Sequence, residues 1–311
     1  MRTAVPPRPE VRPWNGWVAP IVLAALPWAW FLVRDFGPAM NVLAFWLPPA
    51  AVGLALVVLA FSVLAARMPL AVVSLSLVVF TAVVVLAPRT TQPDTAPLQP
   101  FRLVSANTYD GNLQPEAAVG ALVAERPDVL VAVETSREVL ADLRVEFADR
   151  SLARFAGLNV FSRWPVRLLG AIPSVPETTA MRVQVLRPGA PFILYAMHLS
   201  NPLHDVSFSQ HAHTVARLLR GAESETLPVV LAGDFNMTDR TTSYRLLDGV
   251  LRDAMRASLA GSTYERWLWA LFQLRIDHVF TAPRWCSQDA FTFSVPGSDH
   301  EGLSAELGRC P

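Results

Sequence analysis

Two patterns of apolar and polar positions divide the chain at about residue 90. Before it, three long apolar stretches, about 17–33, 42–66 and 70–87, run without an internal charge. Each is close to the ~20 residues that cross a bilayer. Helices in a soluble core seldom run this far without a polar face, so the pattern predicts three transmembrane helices rather than buried core helices. A cleaved leader fits the first stretch poorly, because a small-residue cleavage pattern is unclear and two more stretches follow.

After residue 100 the period shortens. Strand-like runs fall at 101–106, 128–133, 158–162, 180–186, 192–198, 228–232, 275–281 and 303–307, with helical patterns at 115–125 and 205–220. This alternation predicts a mixed α/β unit with no internal repeat. Between the two patterns, Pro88 to Pro100 reads PRTTQPDTAPLQP, which suits an extended tether and holds neither helix nor inner strand. The expected organisation is therefore a membrane domain over 1–89, a linker over 90–100 and a catalytic domain over 101–311.

Composition adds three points. The chain is 52% hydrophobic and 17% charged, which excludes a disordered polyion. The 26 basic residues, all Arg, balance 26 acids, but residues 1–100 hold six of the Arg and three of the acids. The remainder is slightly acidic and lacks the basic footprint of a nonspecific DNA binder. Arg2, Arg8 and Arg12 before the first stretch and Arg67 before the third favour a cytoplasmic tail, which places residues beyond 90 on the outer face. Arg89 runs against that count. Cys286 and Cys310 could form one disulfide in an oxidising compartment or remain two thiols; their number and spacing argue against a zinc site.

Polar residues recur where the apolar runs end: Asn107, Glu134, His198, Asp234 with Asn236, and Asp299 with His300. Asp277 lies within RIDHVF. Strand ends are where an α/β sheet gathers a site. Hydrolysis of a phosphate ester needs a divalent ion, a positioned water and a proton donor or positive charge near the leaving oxygen. Mg²⁺ takes hard oxygen ligands from few protein groups, and Glu134, Asn107 and Asp299 supply such oxygens. Taken singly, each residue has a local reading: Asn107 an Asx turn, Glu134 a cap for a helix near Ser136, Asp234 a turn acid, and either histidine a satisfied core residue. His204, His211 and His213 read as surface residues.

The segments SANTYDGN (105–112), RPDVLVAVET (126–135), GLNVFSRWPV (157–166), MHLSNP (197–202), LAGDFNMT (231–238), RIDHVF (275–280) and SDHEGLSAEL (298–307) resemble, in order, those of the endonuclease/exonuclease/phosphatase superfamily. The resemblance implies a DNase I-like four-layer α/β sandwich of two packed β-sheets flanked by helices, here preceded by the three transmembrane helices. It implies a phosphoesterase dependent on Mg²⁺, with Mn²⁺ as the alternative ion. By resemblance, Glu134 is the principal metal carboxylate, with Asn107 and Asp299 completing the site. Asp234 and Asn236 would align and activate the water, and His300 would act as base or contact the phosphate. Asp277 would orient one imidazole, and His198 would bind the phosphate or protonate the leaving group. Two departures stand out: Glu301 and Gly302 follow SDH, and the acid that often steadies the phosphate-binding His has only Glu177 as a weak counterpart.

The superfamily's substrates range from DNA to lipids, so fold does not choose among them. Outward-facing membrane attachment and the missing basic groove favour a polyprenyl or other lipid phosphate or diphosphate, in a bacterial cell membrane. The layout is similar to membrane-bound actinobacterial members of the VanJ type. Trp267, Trp269 and Phe272 in YERWLWALFQL (264–274) could dip into the membrane interface or form a core helix. The alternatives are an extracytoplasmic endonuclease or exonuclease, with nucleic acid as partner, and a catalytically silent membrane scaffold. No protein partner is expected.

Overall fold

The computed structural model of the chain describes residues 18–37, 40–64, 68–92, 95–171, 179–264 and 274–311. Glu177, Trp267, Trp269 and Phe272 lie outside the described residues.

Two six-stranded sheets form the centre. One has the order β11-β12-β1-β2-β4-β3 and the other β5-β6-β7-β8-β10-β9. Each is built around one parallel pair. In the first sheet, β1 (Leu98–Asn107) lies parallel to β2 (Val129–Val133), and in the second β7 (Phe192–His198) lies parallel to β8 (Val229–Asp234). The other pairings are antiparallel: β3 (Ser151–Phe155), β4 (Leu158–Ser162) and β11 (Trp285–Ser294) with β12 (Glu301–Arg309) extend the first sheet. The second is extended by β5 (Val166–Ala171), β6 (Thr179–Val185), β9 (Arg252–Asp253) and β10 (Asp277–Thr281).

The period-2 geometry of a strand explains why these runs are apolar at every position. In β2, Val129, Val131 and Val133 face the core between the sheets, while Leu130 and Ala132 face outward. In β7, Phe192, Leu194 and Ala196 face inward, and Ile193, Tyr195 and Met197 outward. The outer face of the first sheet is covered by α4 (Pro115–Ala124) and α5 (Arg137–Glu146), that of the second by α6 (Phe208–Glu223) and α7 (Thr242–Asp248). Helix α6 begins in a capping box of Ser207 and Gln210 and buries His211, Val215, Leu218, Leu219 and Ala222 along one stripe. The result is two packed mixed sheets flanked by helices, as expected. His211 is not a surface residue: its helical spacing puts it on the buried stripe, where Nε2–H donates to the Phe235 carbonyl at 2.9 Å.

The expectation of three transmembrane helices needs correction. Helices α1 (Val18–Val33), α2 (Met40–Leu64) and α3 (Met68–Leu86) do form. However, among the described residues α1 has 16 residues and reaches about 24 Å, short of a ~30 Å hydrocarbon core. Helix α2 consists of two pieces, Met40–Leu47 and Ala50–Ala60, meeting at 49°. The adjacent prolines 48 and 49 lack the amide donors a straight helix requires. Among the described residues, only Leu70–Arg89 is long and apolar enough to cross a membrane by itself; α2 gives a second if its pieces form one span. Multi-pass insertion through three spans is thus not supported.

The run after α3 is docked against the second sheet. Arg89 is buried against Asp239, and the Gln92 amide donates to the Arg256 carbonyl at 2.7 Å. Residues 98–100 belong to β1. The other end of the helical unit is held as well, by the Thr242 amide donating to Asn41 Oδ1 at 2.9 Å and by an Arg245–Asp35 ion pair. Cys286 and Cys310 are disulfide-bonded, joining β11 to the segment that follows β12.

Candidate active site

The strand directions bring one end of both sheets together. Asn107 ends β1, Glu134 follows β2, His198 ends β7 and Asp234 ends β8. Because β10 and β12 run antiparallel to β8 and β1, their starts lie at the same end, carrying Asp277 and the preceding pair Asp299 and His300. Residues that are 127 positions apart thereby touch: Asn107 Nδ2–H donates to Asp234 Oδ2 at 3.2 Å. Asp234 is also the register partner of both His198 and Asp277.

Close packing requires the glycine of GDFN. Gly233 has φ +139°, and a Cβ there would stand 2.0 Å from the Met197 carbonyl oxygen. Glu134 and Asn236 adopt left-handed backbone conformations, φ +47° and +48°, costing roughly 1–2 kcal/mol each for an L-residue. For Asn236 the surroundings hold the conformation: its amide donates to Asp234 Oδ1 at 2.8 Å and its side-chain Nδ2–H to the Leu199 carbonyl at 2.8 Å.

The local readings of these residues are partly true and do not compete with a site. Asn107 Oδ1 does accept the Tyr109 amide in an Asx turn, at 3.0 Å. The α5 cap, however, is Ser136, whose hydroxyl accepts the Val139 amide at 3.1 Å, leaving the Glu134 carboxylate for other work.

Two acid–imidazole contacts define the electrostatics. His300 Nδ1–H donates to Asp277 Oδ2 at 2.8 Å, while its Nε2 lies 3.9 Å from Asp234 Oδ2. Burial disfavours the His300 charge, but Asp277, Asp234 and Asp299 outweigh burial and push its pKa up to about 10. His198 Nε2–H donates to Glu134 Oε1 at 3.0 Å. Burial opposes that charge too, yet Glu134 and Asp234 raise the His198 pKa, while His198, His300 and Asn107 hold Glu134 below the usual carboxylate range despite its burial. Asp234 is pushed the other way, to about 6, by burial and by Asp277.

All these groups reach one cleft of about 410 Å³, except Asn107 and Asp277, which stand behind Asp234 and His300. The cleft is also lined by Tyr109, Asp110, Asn201 and Asp205, which sequence reasoning did not single out, by His204, read there as a surface residue, and by Phe45 from α2. Tyr109, Asp110 and Asn201 sit inside two of the motif segments and were legible there; Phe45 lies in an apolar run with nothing to mark it. Glu301 is not among the lining residues: it starts β12, with its amide donating to Thr263 O at 2.9 Å. The sequence of residues 104–300 matches the profile of the Endonuclease/Exonuclease/phosphatase family.

The chain belongs to the endonuclease/exonuclease/phosphatase family. Members hydrolyse phosphate ester bonds with a divalent metal ion, and the chain is accordingly a phosphoesterase. Solved structures agree in fold. A Bacteroides vulgatus endonuclease/exonuclease/phosphatase superposes with TM-score 0.56 at 17% identity, covering 68% of this chain and 100% of its own. D. rerio TDP2, humanised by 14 mutations, gives TM-score 0.55 at 15% identity, covering 67% and 99%. A Bacteroides thetaiotaomicron mannosyl-6-phosphatase gives 0.51 at 16%, covering 67% and 99%. No curated protein matches the chain in sequence.

The donor set fits a hard divalent ion. Asp234, Asp277 and His300 place ligand atoms within 4.8 Å of one another, but all three are buried and His300 Nδ1 is taken by Asp277. The half-buried, ionised Glu134 in the cleft wall, with Asn107 beside it and Asp299 lining the same cleft, is better suited to an ion that keeps waters and substrate oxygens as ligands.

Proposed function

We propose that the chain is a membrane-anchored, Mg²⁺-dependent phosphohydrolase acting on a lipid phosphate or diphosphate at the outer face of the membrane. The observation that carries the choice of substrate is the charge and polarity of the cleft wall. Its described residues include Asp110, Glu134, Asp205, Asp234 and Asp299 but no Arg or Lys, and one side is apolar, with Phe45, Leu203, Leu274 and Ile276. A nucleic acid track would neutralise successive phosphates with Arg or Lys. An acidic cleft suits a single phosphate group brought in with a cation, on a substrate whose remainder is apolar.

Anchoring is supported by helix Leu70–Arg89 and by apolar side chains that α2 and α3 leave uncovered, such as Leu56, Val57 and Leu75, all above 60% exposed. The disulfide supports an oxidising compartment.

In this reading Glu134, Asn107 and Asp299 hold the ion, which neutralises phosphate oxygen charge when bound. Asp234, with a pKa near neutrality, takes the proton of the attacking water, and Asn236 fixes the Asp234 carboxylate through its amide. His300, kept protonated by Asp277, presents Nε2–H to a phosphate oxygen, and Asp277 thus acts through the imidazole it orients. His198, whose pKa Glu134 and Asp234 raise against burial, supplies a proton to the leaving oxygen. Water oxygen bonds to phosphorus as the bond to the leaving oxygen breaks.

The test compares substrates on the purified full-length protein in detergent with Mg²⁺: phosphate release from a polyprenyl diphosphate, and nicking of supercoiled plasmid. Release from the lipid without nicking is expected. Nicking without release would replace the lipid reading with the nuclease one.

A further inference from the structure

The catalytic cleft borrows one wall from the helical unit. Phe45 lies on the short first piece of α2, Met40–Leu47, which the 49° bend turns away from the second piece. Its ring is 4% exposed and meets Phe208 edge-on, with centroids 5.7 Å apart. It packs with Leu274 and Ile276, and with the half-buried Leu203 and Tyr264 beside them. The same Phe45 side chain lines the cleft that holds Glu134, His198, Asp234 and His300. The position is fixed from both directions: Asn41 accepts the Thr242 amide just before it, and Phe208 starts α6 behind it. Next to Phe45, on the surface of the same piece, Val42, Leu43 and Trp46 are each more than a third exposed.

An apolar wall joined directly to an acidic phosphate site, and continued by exposed apolar side chains of a helix leading into the apolar unit, is the profile of an amphiphile's binding site. We propose that Phe45 is a specificity-determining residue, forming with Leu203, Leu274 and Ile276 the seat for the hydrocarbon segment nearest the phosphate. The rest of that hydrocarbon then follows Val42, Leu43 and Trp46 along α2, so the substrate reaches the catalytic groups without leaving the bilayer. This inference rests on the lipid-phosphate reading and adds the route and the selecting residue. It also gives the bend in α2 a role, since a straight helix would keep residues 40–47 on the line of the second piece.

The experiment measures kcat and KM of the full-length protein in detergent for two diphosphates with the same headgroup: a long-chain polyprenyl diphosphate and dimethylallyl diphosphate. Phe45→Ala should lower the long-to-short ratio of kcat/KM about tenfold, mainly through KM for the long chain, and Phe45→Leu should restore most of it. A merely structural Phe45 would lower both substrates together; an unchanged ratio in Phe45→Ala, with or without a general loss, overturns the inference. Wild-type hydrolysis of both substrates alongside that unchanged ratio leaves the lipid reading standing. Wild-type failure on the long-chain substrate removes the lipid reading and this inference with it.

Discussion

Two buried charge clusters in this molecule use the same residue types to opposite ends. At the site, Asp234, Asp277, Asp299 and Glu134 stand with His198 and His300, and the described residues lining the cleft include no Arg or Lys, so acids outnumber cations. A short distance away, Asp239 is gripped by Arg89 Nε at 2.8 Å and Arg275 Nε at 3.1 Å. Asp253 there accepts from Arg275 at 2.5 Å and from the Tyr244 hydroxyl at 2.7 Å. The matched cluster drives acids away from neutrality: burial opposes ionisation of Asp239, but Arg89, Arg275 and Arg240 hold it down at about 2. The mismatched one leaves Asp234 near 6 and a histidine near 10. Acids that cannot titrate near pH 7 serve the fold, and a site short of cations is arranged for a cation and a substrate to complete it.

The largest effect that could break this contrast is in catalysis. Glu134→Gln keeps size and hydrogen bonding but removes the charge, and should cut phosphate release by about 10³-fold with an unchanged melting curve. A melting shift as large as the activity loss would place Glu134 with the structural acids. The reverse pattern is expected for Arg275→Met, which strands Asp253 and weakens the hold on Asp239. It should lower unfolding free energy by about 3–5 kcal/mol, read by denaturant titration, while the folded fraction keeps Mn²⁺ affinity, read calorimetrically.

Smaller effects sharpen the contrast. Asp277→Asn should reduce kcat about 10²-fold and bring the His300 pKa down from about 10, a change visible in NMR titration of the imidazole; a normal titration midpoint before and after would remove Asp277 from its positioning role. The smallest concerns pH. Asp239 has a folded pKa below its unfolded one, so its contribution is fully present above about pH 4 and lost as pH falls through about 2. That amounts to roughly 2 kcal/mol, and Asp239→Asn should flatten stability between pH 4 and 2 in urea titrations.

The contrast also marks what could be read in the sequence. The cleft groups lie in short linear motifs at strand ends, because a strand that terminates at a site must place polar residues just past its apolar run. Asn107, Glu134, His198 and Asp234 were legible for that reason, as was the α/β sandwich they belong to. Arg89 and Asp239 carry no such signal: the pair is 150 residues apart and only the completed fold joins it. Phe45 was hidden for the same reason, within an apolar run where every residue looked alike. The count of spans failed because apolar length says nothing of a bend at consecutive prolines. His211 carries no motif, and what marks it as buried is the helical stripe it shares with Val215 and Leu218.

The most direct test of the account is phosphate release from a polyprenyl diphosphate by the full-length protein in detergent, measured with Mg²⁺, after chelation, and for Glu134→Gln. Release by the wild type with Mg²⁺, abolished by chelation and reduced at least a thousandfold in the folded variant, is the predicted result. Release that survives chelation, or that Glu134→Gln retains, would contradict the claim that this acidic cleft works through a cation held at Glu134.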